Sequence, residues 1–213
     1  MTGPAHPSYA PTQDYPRPVD AVILAGGRSR RLGRPKEDVR IGERSLLERT
    51  IDACAAAHRI VVVGPWREDL ADSGVVQVRE DPPLGGPVAA LAAAIDQLEE
   101  PTLLVLACDM PRVRELVASL PQPAGDDDAC LALDRGRVQP LAGWYRRAAL
   151  AAALAQRTVE RAVDGASMRS VLDDLTIRLV DVPPGCTDDV DTPADLDAAR
   201  RREEDDDRGR PRG

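Results

Sequence analysis

Two hydrophobic rhythms alternate along the chain. Val19–Ala25, an unbroken apolar run closed by Gly26 and Gly27, has the pattern of a strand buried on both faces. Ser45–Ala57 then sets Leu46, Leu47, Ile51 and Cys54 at helical spacing, with Ser45 and Glu48 placed as a capping box. Ile60–Val63, ended by Gly64, and the short Val75–Val78 predict two more strands. A helix opened by proline over Pro87–Leu98 leads to an almost purely apolar strand at Leu103–Ala107, and a further helix spans Pro111–Leu120. Then the order changes. Ala129–Leu133 and Val138–Trp144 predict two strands separated by the turn residues Asp134, Arg135, Gly136 and Arg137. Helices at Ala148–Ala155 and Ser167–Leu175, a strand at Ile177–Val182 and a helix from Pro193 complete the pattern.

Strands alternating with helices imply an α/β fold, a Rossmann-like three-layer sandwich whose mainly parallel sheet is covered on both faces. The late hairpin-like pair adds an antiparallel edge or insertion. A single domain over residues 18–200 suits the length of 213. Residues 1–17, rich in proline and lacking periodicity, predict a disordered N-terminal tail, and 201–213 a frayed helix end running into a charged tail. In open sheets of this kind ligands sit beyond the C-terminal ends of the strands, so residues that follow strands are the candidates for chemistry.

Composition narrows the options. With 43% hydrophobic and 30% charged residues and no Phe, the core is built from Leu, Val, Ile and Ala. A net charge of −8 argues against general nucleic-acid binding, which rests on phosphate neutralisation by Lys and Arg. No run approaches the length of a membrane span, and no apolar segment follows a charged start as in a signal peptide. Cys54, Cys108, Cys130 and Cys186 show neither CxxC pairing nor zinc spacing. A cytoplasmic protein with reduced thiols is the expectation.

Against this acidic background, "GGRSRRLGRPK" carries five basic residues within positions 28–36. Such a local cluster suits a small anionic ligand rather than a polymer. Of 28 basic residues only Lys36 is not arginine, and a compact ammonium serves phosphate differently from a planar guanidinium. The loop matches neither the Walker A pattern nor the dinucleotide G-x-G-x-x-G, which argues against a nicotinamide-dependent oxidoreductase. Gly26 and Gly27 allow backbone N–H groups to close on a phosphate or a base, and Arg31 and Lys36 are spaced to reach along a triphosphate.

After the fourth strand, Asp109 is placed either to hold a divalent cation or to cap the helix near Pro111. Asp189 and Asp191, alternating in extended chain after the last strand, face one site, or Asp191 or Thr192 caps the helix at Pro193. "EDPPLGG" before Pro87 permits close approach to a ligand or simply makes a tight turn. His6 lies in the tail, His58 at a helix end, and no G-x-S-x-G elbow is present, so catalysis by positioning and charge neutralisation is expected.

The segment "LAGGRSRRLGRPK" resembles the L-A-[GA]-G-x-S-x-R-[ML]-G-x-x-K signature of the nucleotidyltransferases with a Rossmann-like α/β fold. With Asp81 ahead of "GGPVAAL", the strand-end "CDMP", "VQPLAGWYRR" and "DVDTPADL", residues 19–200 are similar to the molybdenum cofactor guanylyltransferase group. That resemblance implies transfer of GMP from GTP to the phosphate of molybdopterin, with Mg²⁺ and release of pyrophosphate. It implies that Leu24, Ala25, Gly26 and Gly27 cradle guanine and ribose and that Arg31 and Lys36 hold the triphosphate. Asp81 contacts the nucleotide, and Asp109 binds Mg²⁺, joined by Asp191 and with Asp189 as a further candidate. Gln139 and Pro140 lie in the acceptor pocket. A molybdoenzyme or another cofactor-biosynthesis protein is the implied partner. A cytidylyltransferase for the same pterin, a guanylyltransferase for another phosphorylated acceptor and a non-catalytic nucleotide carrier are the alternatives.

Overall fold

The computed structural model describes Tyr15 and residues 17–26, 32–81, 83–159 and 166–209. In chain order, strand β1 (Val19–Leu24) is followed by a two-strand hairpin of β2 (Arg40–Ile41) and β3 (Arg44–Ser45) and by helix α1 (Leu46–Ala53). Next come β4 (Arg59–Val63), β5 (Val76–Val78), α2 (Pro87–Ala94), β6 (Thr102–Ala107) and α3 (Val113–Ser119). The last part comprises β7 (Ala129–Asp134), β8 (Arg137–Arg146), α4 (Arg147–Val159), α5 (Met168–Leu172), β9 (Ile177–Asp181) and α6 (Pro193–Gly209).

Local chemistry sets several of these boundaries. Ser45 Oγ accepts from Glu48 N at 3.1 Å while Glu48 Oε2 accepts from Ser45 N at 2.6 Å, so the capping box starts α1 as its sequence predicts. Thr192 and Asp195 make the same reciprocal arrangement at α6: Asp195 Oδ2 accepts from Thr192 N at 2.8 Å and Thr192 Oγ1 accepts from Asp195 N at 3.2 Å. The helix α6 does not fray at residue 200 but continues to Gly209, and Glu203, within the predicted tail, is held by Arg49. At the other end Tyr15, also in a predicted tail, stacks edge-on against Trp144 with ring centroids 5.1 Å apart and donates to Ala53 O.

Seven strands form one sheet in the order β5-β4-β1-β6-β8-β7-β9. All run parallel except β8, which is antiparallel to both neighbours. The late strand pair is therefore an insertion and not an edge: β8 is wedged inside the sheet, and β9 closes it.

Side chains alternate across β1, as its extended backbone requires. Ala21 and Ile23 join Leu47, Ile51, Leu116 and Val117 of α1 and α3 in one apolar layer. Val22 and Leu24 join Leu91, Leu150, Leu154 and Met168 of α2, α4 and α5 in the other. Each fully buried Leu or Ile in these layers contributes about 1.5–3 kcal/mol. A third small cluster, Val39, Ile41, Leu46, Val190 and Leu196, ties the β2–β3 hairpin to the start of α6. Among the described residues no helix is long and apolar enough to cross a membrane.

One irregularity matters for function. On β7, Leu131 pairs with Gly143 and the next residue, Ala132, with Gln139, so Pro140, Leu141 and Ala142 are extra residues on β8. Proline lacks an N–H and suits a place where the ladder needs no donor. Tyr145 Oη donates to Pro140 O at 2.6 Å and holds the bulge. Gly143 is required beside it, since a Cβ there would lie 2.6 Å from Cys130 O.

Candidate active site

The parallel strands end side by side, and the chain leaving them continues their ladder. Ala25 N donates to Val63 O at 2.8 Å, Gly64 N to Val78 O at 2.9 Å and Cys108 N to Leu24 O at 3.1 Å. The tightest approach is between Gly64 and Ala25: a Cβ on Gly64 would stand 2.1 Å from Ala25 O. Only glycine lets the segment after β1 lie this close to the end of β4.

Four charged side chains converge just beyond. Lys36, opening a short 3₁₀ turn, donates from Nζ to Asp109 Oδ2 at 2.9 Å and pairs with Asp191 Oδ1. Carboxylate oxygens of Asp109, Asp189 and Asp191 lie within 4.8 Å of one another. Burial alone would lower the pKa of the Lys36 ammonium, but the charge of Asp109 and the bonds to Asp191 and Asp109 outweigh it, and the net shift is upward. Asp189 is shifted upward too, by burial and then by the like charges of Asp191 and Asp109. Three acids thus share one ammonium, leaving an excess of negative charge. Glu37, buried behind them, is raised chiefly by desolvation.

Neither Asp109 nor Asp191 is a helix cap. Arg112 precedes α3 without a side-chain cap bond, and Thr192 takes the capping role at α6. Both carboxylates are left to face Lys36.

Two cavities meet at this cluster. One, of about 420 Å³, is bounded by Leu24, Gly26, Lys36, Val63, Glu80 and Pro87 among others. The second, of about 710 Å³, lies under the β7–β8 hairpin and is lined by Asp134, Arg137, Gln139, Pro140 and Asp189 among others. Ala107, Asp109 and Leu141 belong to both, so the bulged residue Leu141 and the strand-end acid Asp109 form a shared wall.

Residues 21–179 match the MobA-like NTP transferase domain, three quarters of the chain. The chain belongs to this family. It is a nucleotidyltransferase. A protein of Synechococcus elongatus named "Probable molybdenum cofactor guanylyltransferase" is 37% identical over 142 residues, which cover 60% of this chain and 72% of that one. Molybdopterin-guanine dinucleotide biosynthesis protein A from Archaeoglobus fulgidus shares the fold with a TM-score of 0.63 at 20% identity, covering 87% of this chain and 99% of that one. So does 2-C-methyl-D-erythritol 4-phosphate cytidylyltransferase from Thermus thermophilus, with a TM-score of 0.64 at 24% identity, covering 88% and 99%.

The residues singled out by sequence are distributed as follows, Asp191 lying beyond the stretch that matches the family. Leu24, Gly26, Lys36, Asp109 and Asp191 line the smaller cavity, while Ala25 is buried behind it and bonded to β4. Gln139 and Pro140 line the larger one. Asp81 is exposed on the loop after β5 and lies outside the lining of either cavity, whereas its neighbour Glu80 lines the smaller. Gly27 and Arg31 lie outside the described residues.

Asp134 was hidden in the sequence among turn residues. It ends β7, is 3% exposed, and accepts from Thr187 Oγ1 at 2.8 Å and Gly185 N at 3.0 Å. Desolvation alone would raise its pKa; the bonds from Thr187, Gly185 and Arg135 prevail, and it is lowered. Asp134 thereby fastens the β7–β8 hairpin to the segment that carries Asp188, Asp189 and Asp191. The tight turn itself is Arg135-Gly136, both at positive φ, which is the geometry of a two-residue hairpin. Nothing in the order Asp-Arg-Gly-Arg distinguishes an anchor from a solvated turn acid.

Proposed function

We propose that this protein transfers GMP from GTP to the phosphate of molybdopterin and releases pyrophosphate, with Mg²⁺ as cofactor. The observation that carries the reading is the pair of cavities sharing Asp109: one chamber for the nucleotide, one for the acceptor, with the charged cluster at their junction. The name carried by the Synechococcus elongatus relative supports GTP and the pterin as the two substrates.

Hard carboxylate oxygens suit Mg²⁺, and the excess negative charge around Lys36 is what such an ion would neutralise. Asp109, Asp189 and Asp191 would hold it. When bound, it lowers the cost of charge developing on the phosphoryl oxygens. The Lys36 ammonium, positioned by Asp109 and Asp191, contacts the triphosphate. The smaller cavity then fixes the α-phosphate beside the shared wall, and the bulge of β8 aims the acceptor phosphate at it. An acceptor oxygen forms a bond to the α-phosphorus as the bond to the β-phosphate bridging oxygen breaks, and Lys36 offsets the charge on departing pyrophosphate. No side chain has to act as a nucleophile. The protein contributes position and charge.

The test is pyrophosphate release by the purified chain with Mg²⁺ and each of GTP, CTP, ATP and UTP, with and without molybdopterin. Release with GTP only when the pterin is present is the expected result. Release with CTP moves the reading to the cytidylyl relatives. Binding without release under any pairing refutes transfer to this acceptor.

A further inference from the structure

The smaller cavity follows the sheet. Asp109 lies two residues past β6, Gly26 two past β1, Val63 ends β4, and Glu80 lies two past β5. Strands about 4.8 Å apart set β5 and β6 roughly 14 Å apart, room to lay a nucleoside triphosphate across the strand ends.

The two ends of this trough differ in chemistry. Lys36, at the β1–β6 end, is the one cation among the described residues that line it. At the β5 end the walls are Val63, Leu84, Pro87 and Ala90, and the charged group there among the described residues is the Glu80 carboxylate. A phosphate placed at that end would meet an acid and apolar surface with no cation among the described lining residues there, whereas at the other end Lys36 and the ion that Asp109 and Asp191 would hold both favour it, so the triphosphate belongs at Lys36 and the base at Glu80.

Glu80 is half-buried and held in place, since its Oε1 accepts from Leu84 N at 2.9 Å. Leu84 adopts φ 66°, a left-handed conformation that costs a leucine free energy, and the residue is 53% exposed on the cavity wall. A strained backbone that fixes a carboxylate and presents a bare apolar side chain is suited to gripping a flat ring.

The carboxylate then selects among rings. Guanine presents N1–H and N2–H side by side, two donors that match two carboxylate oxygens. Adenine and cytosine each place an acceptor beside their amino group, and uracil has one N–H between two carbonyls. A fixed carboxylate therefore favours guanine and repels the acceptor edges of the others.

We propose that Glu80 is the residue that reads the nucleobase, accepting from N1–H and N2–H of guanine, with Leu84 packed on the ring. This inference rests on the reading of the protein as a GTP user. The experiment is equilibrium binding of GTP, ITP, ATP and CTP, with Mg²⁺, to the full chain and to Glu80→Gln, which keeps an acceptor for Leu84 N. Thermal unfolding of both proteins checks that the fold is intact.

The wild type should bind GTP about tenfold more tightly than ITP, which lacks the N2 amino group. Glu80→Gln should weaken GTP by about 10- to 100-fold while changing ATP and CTP by less than ~3-fold. Equal loss of all four nucleotides overturns the inference and places Glu80 on the ribose or the loop. A wild type that prefers GTP, with a variant that prefers it as strongly, overturns the inference and leaves the GTP reading standing. A wild type without preference for GTP removes both.

Discussion

Gly64→Ala is the sharpest perturbation of this site that leaves every charged group in place. The new Cβ would lie 2.1 Å from Ala25 O and 2.8 Å from Ala25 C, roughly 1.3 Å short of an ordinary 3.4 Å contact to the oxygen. Both sides are backbone, so no rotamer change relieves the clash. Opening the gap pulls on the bonds from Ala25 N to Val63 O and from Gly64 N to Val78 O. Overpacking costs about 1–3 kcal/mol and a weakened hydrogen bond about 1 kcal/mol more, so a loss of roughly 2–4 kcal/mol is expected by urea unfolding. Because Gly26, next to Ala25, lines the smaller cavity, which on the proposed function holds the nucleotide, a shift of about 1 Å should also cut turnover by about 100-fold in a pyrophosphate-release assay. Gly26→Ala is the control for stability: its Cβ would meet Gly64 Cα at 3.6 Å and Pro65 Cδ at 3.9 Å, ordinary contacts, and its cost should stay below about 1 kcal/mol. If Gly64→Ala unfolds at the same urea concentration as wild type and turns over at the same rate, the close approach is not what positions the loop.

Three other outcomes follow from the same geometry. Lys36→Met should lower turnover on the order of 10²–10³-fold, read as kcat at saturating nucleotide, because on the proposed function it removes the ammonium that offsets developing phosphate charge. Asp134→Asn should destabilise the chain by about 1.5–3 kcal/mol at neutral pH, by chemical denaturation. Since the folded pKa of Asp134 is lowered, its contribution is complete above the ordinary carboxylate value and fades as pH falls through the folded value, so the gap between variant and wild type should close in acid. Cys54, Cys108, Cys130 and Cys186 are buried and free, and burial pushes the Cys54 thiol up to about 12, so thiol reagents should label none of the four until the protein is unfolded.

The elements that were legible in the sequence are those whose burial is one-sided or complete. The apolar runs of β1, β4 and β6 leave no reading but a covered strand, and Ser45 with Glu48 marks the start of α1 by a bond between neighbours. The β2–β3 hairpin was not legible, because Arg40–Ile41 and Arg44–Ser45 are two residues each and are stabilised by packing on Val190 and Leu196 from the far end of the chain. The insertion of β8 between β6 and β7 was equally out of reach: a hairpin signal fixes which strands pair, not which third strand one of them joins. The bulge at Pro140–Ala142 depends on both neighbours at once. In the site, Lys36 stood out as the one lysine in a basic loop after a buried strand, Asp109 because it closely follows a buried strand, and Asp191 because it alternates with Asp189. That Glu80 and not Asp81 lines the smaller cavity was out of reach, because which of two adjacent acids faces it is set by the local backbone rather than by residue type. Arg31 and Gly27 lie outside the described residues.

The wall shared by the two chambers, Ala107, Asp109 and Leu141, bears on how the cycle ends. On the proposed reaction, each substrate occupies one chamber and forfeits its own freedom of motion on binding. The dinucleotide product occupies both, with a single molecule's loss of translation set against the grip of two pockets. It is therefore held more firmly than either component alone. Pyrophosphate escapes from the Lys36 end, while the joined product must let go of the hairpin side and the strand-end side together. If the proposed reaction holds, departure rather than bond formation is then expected to set the pace, and added dinucleotide product should inhibit turnover.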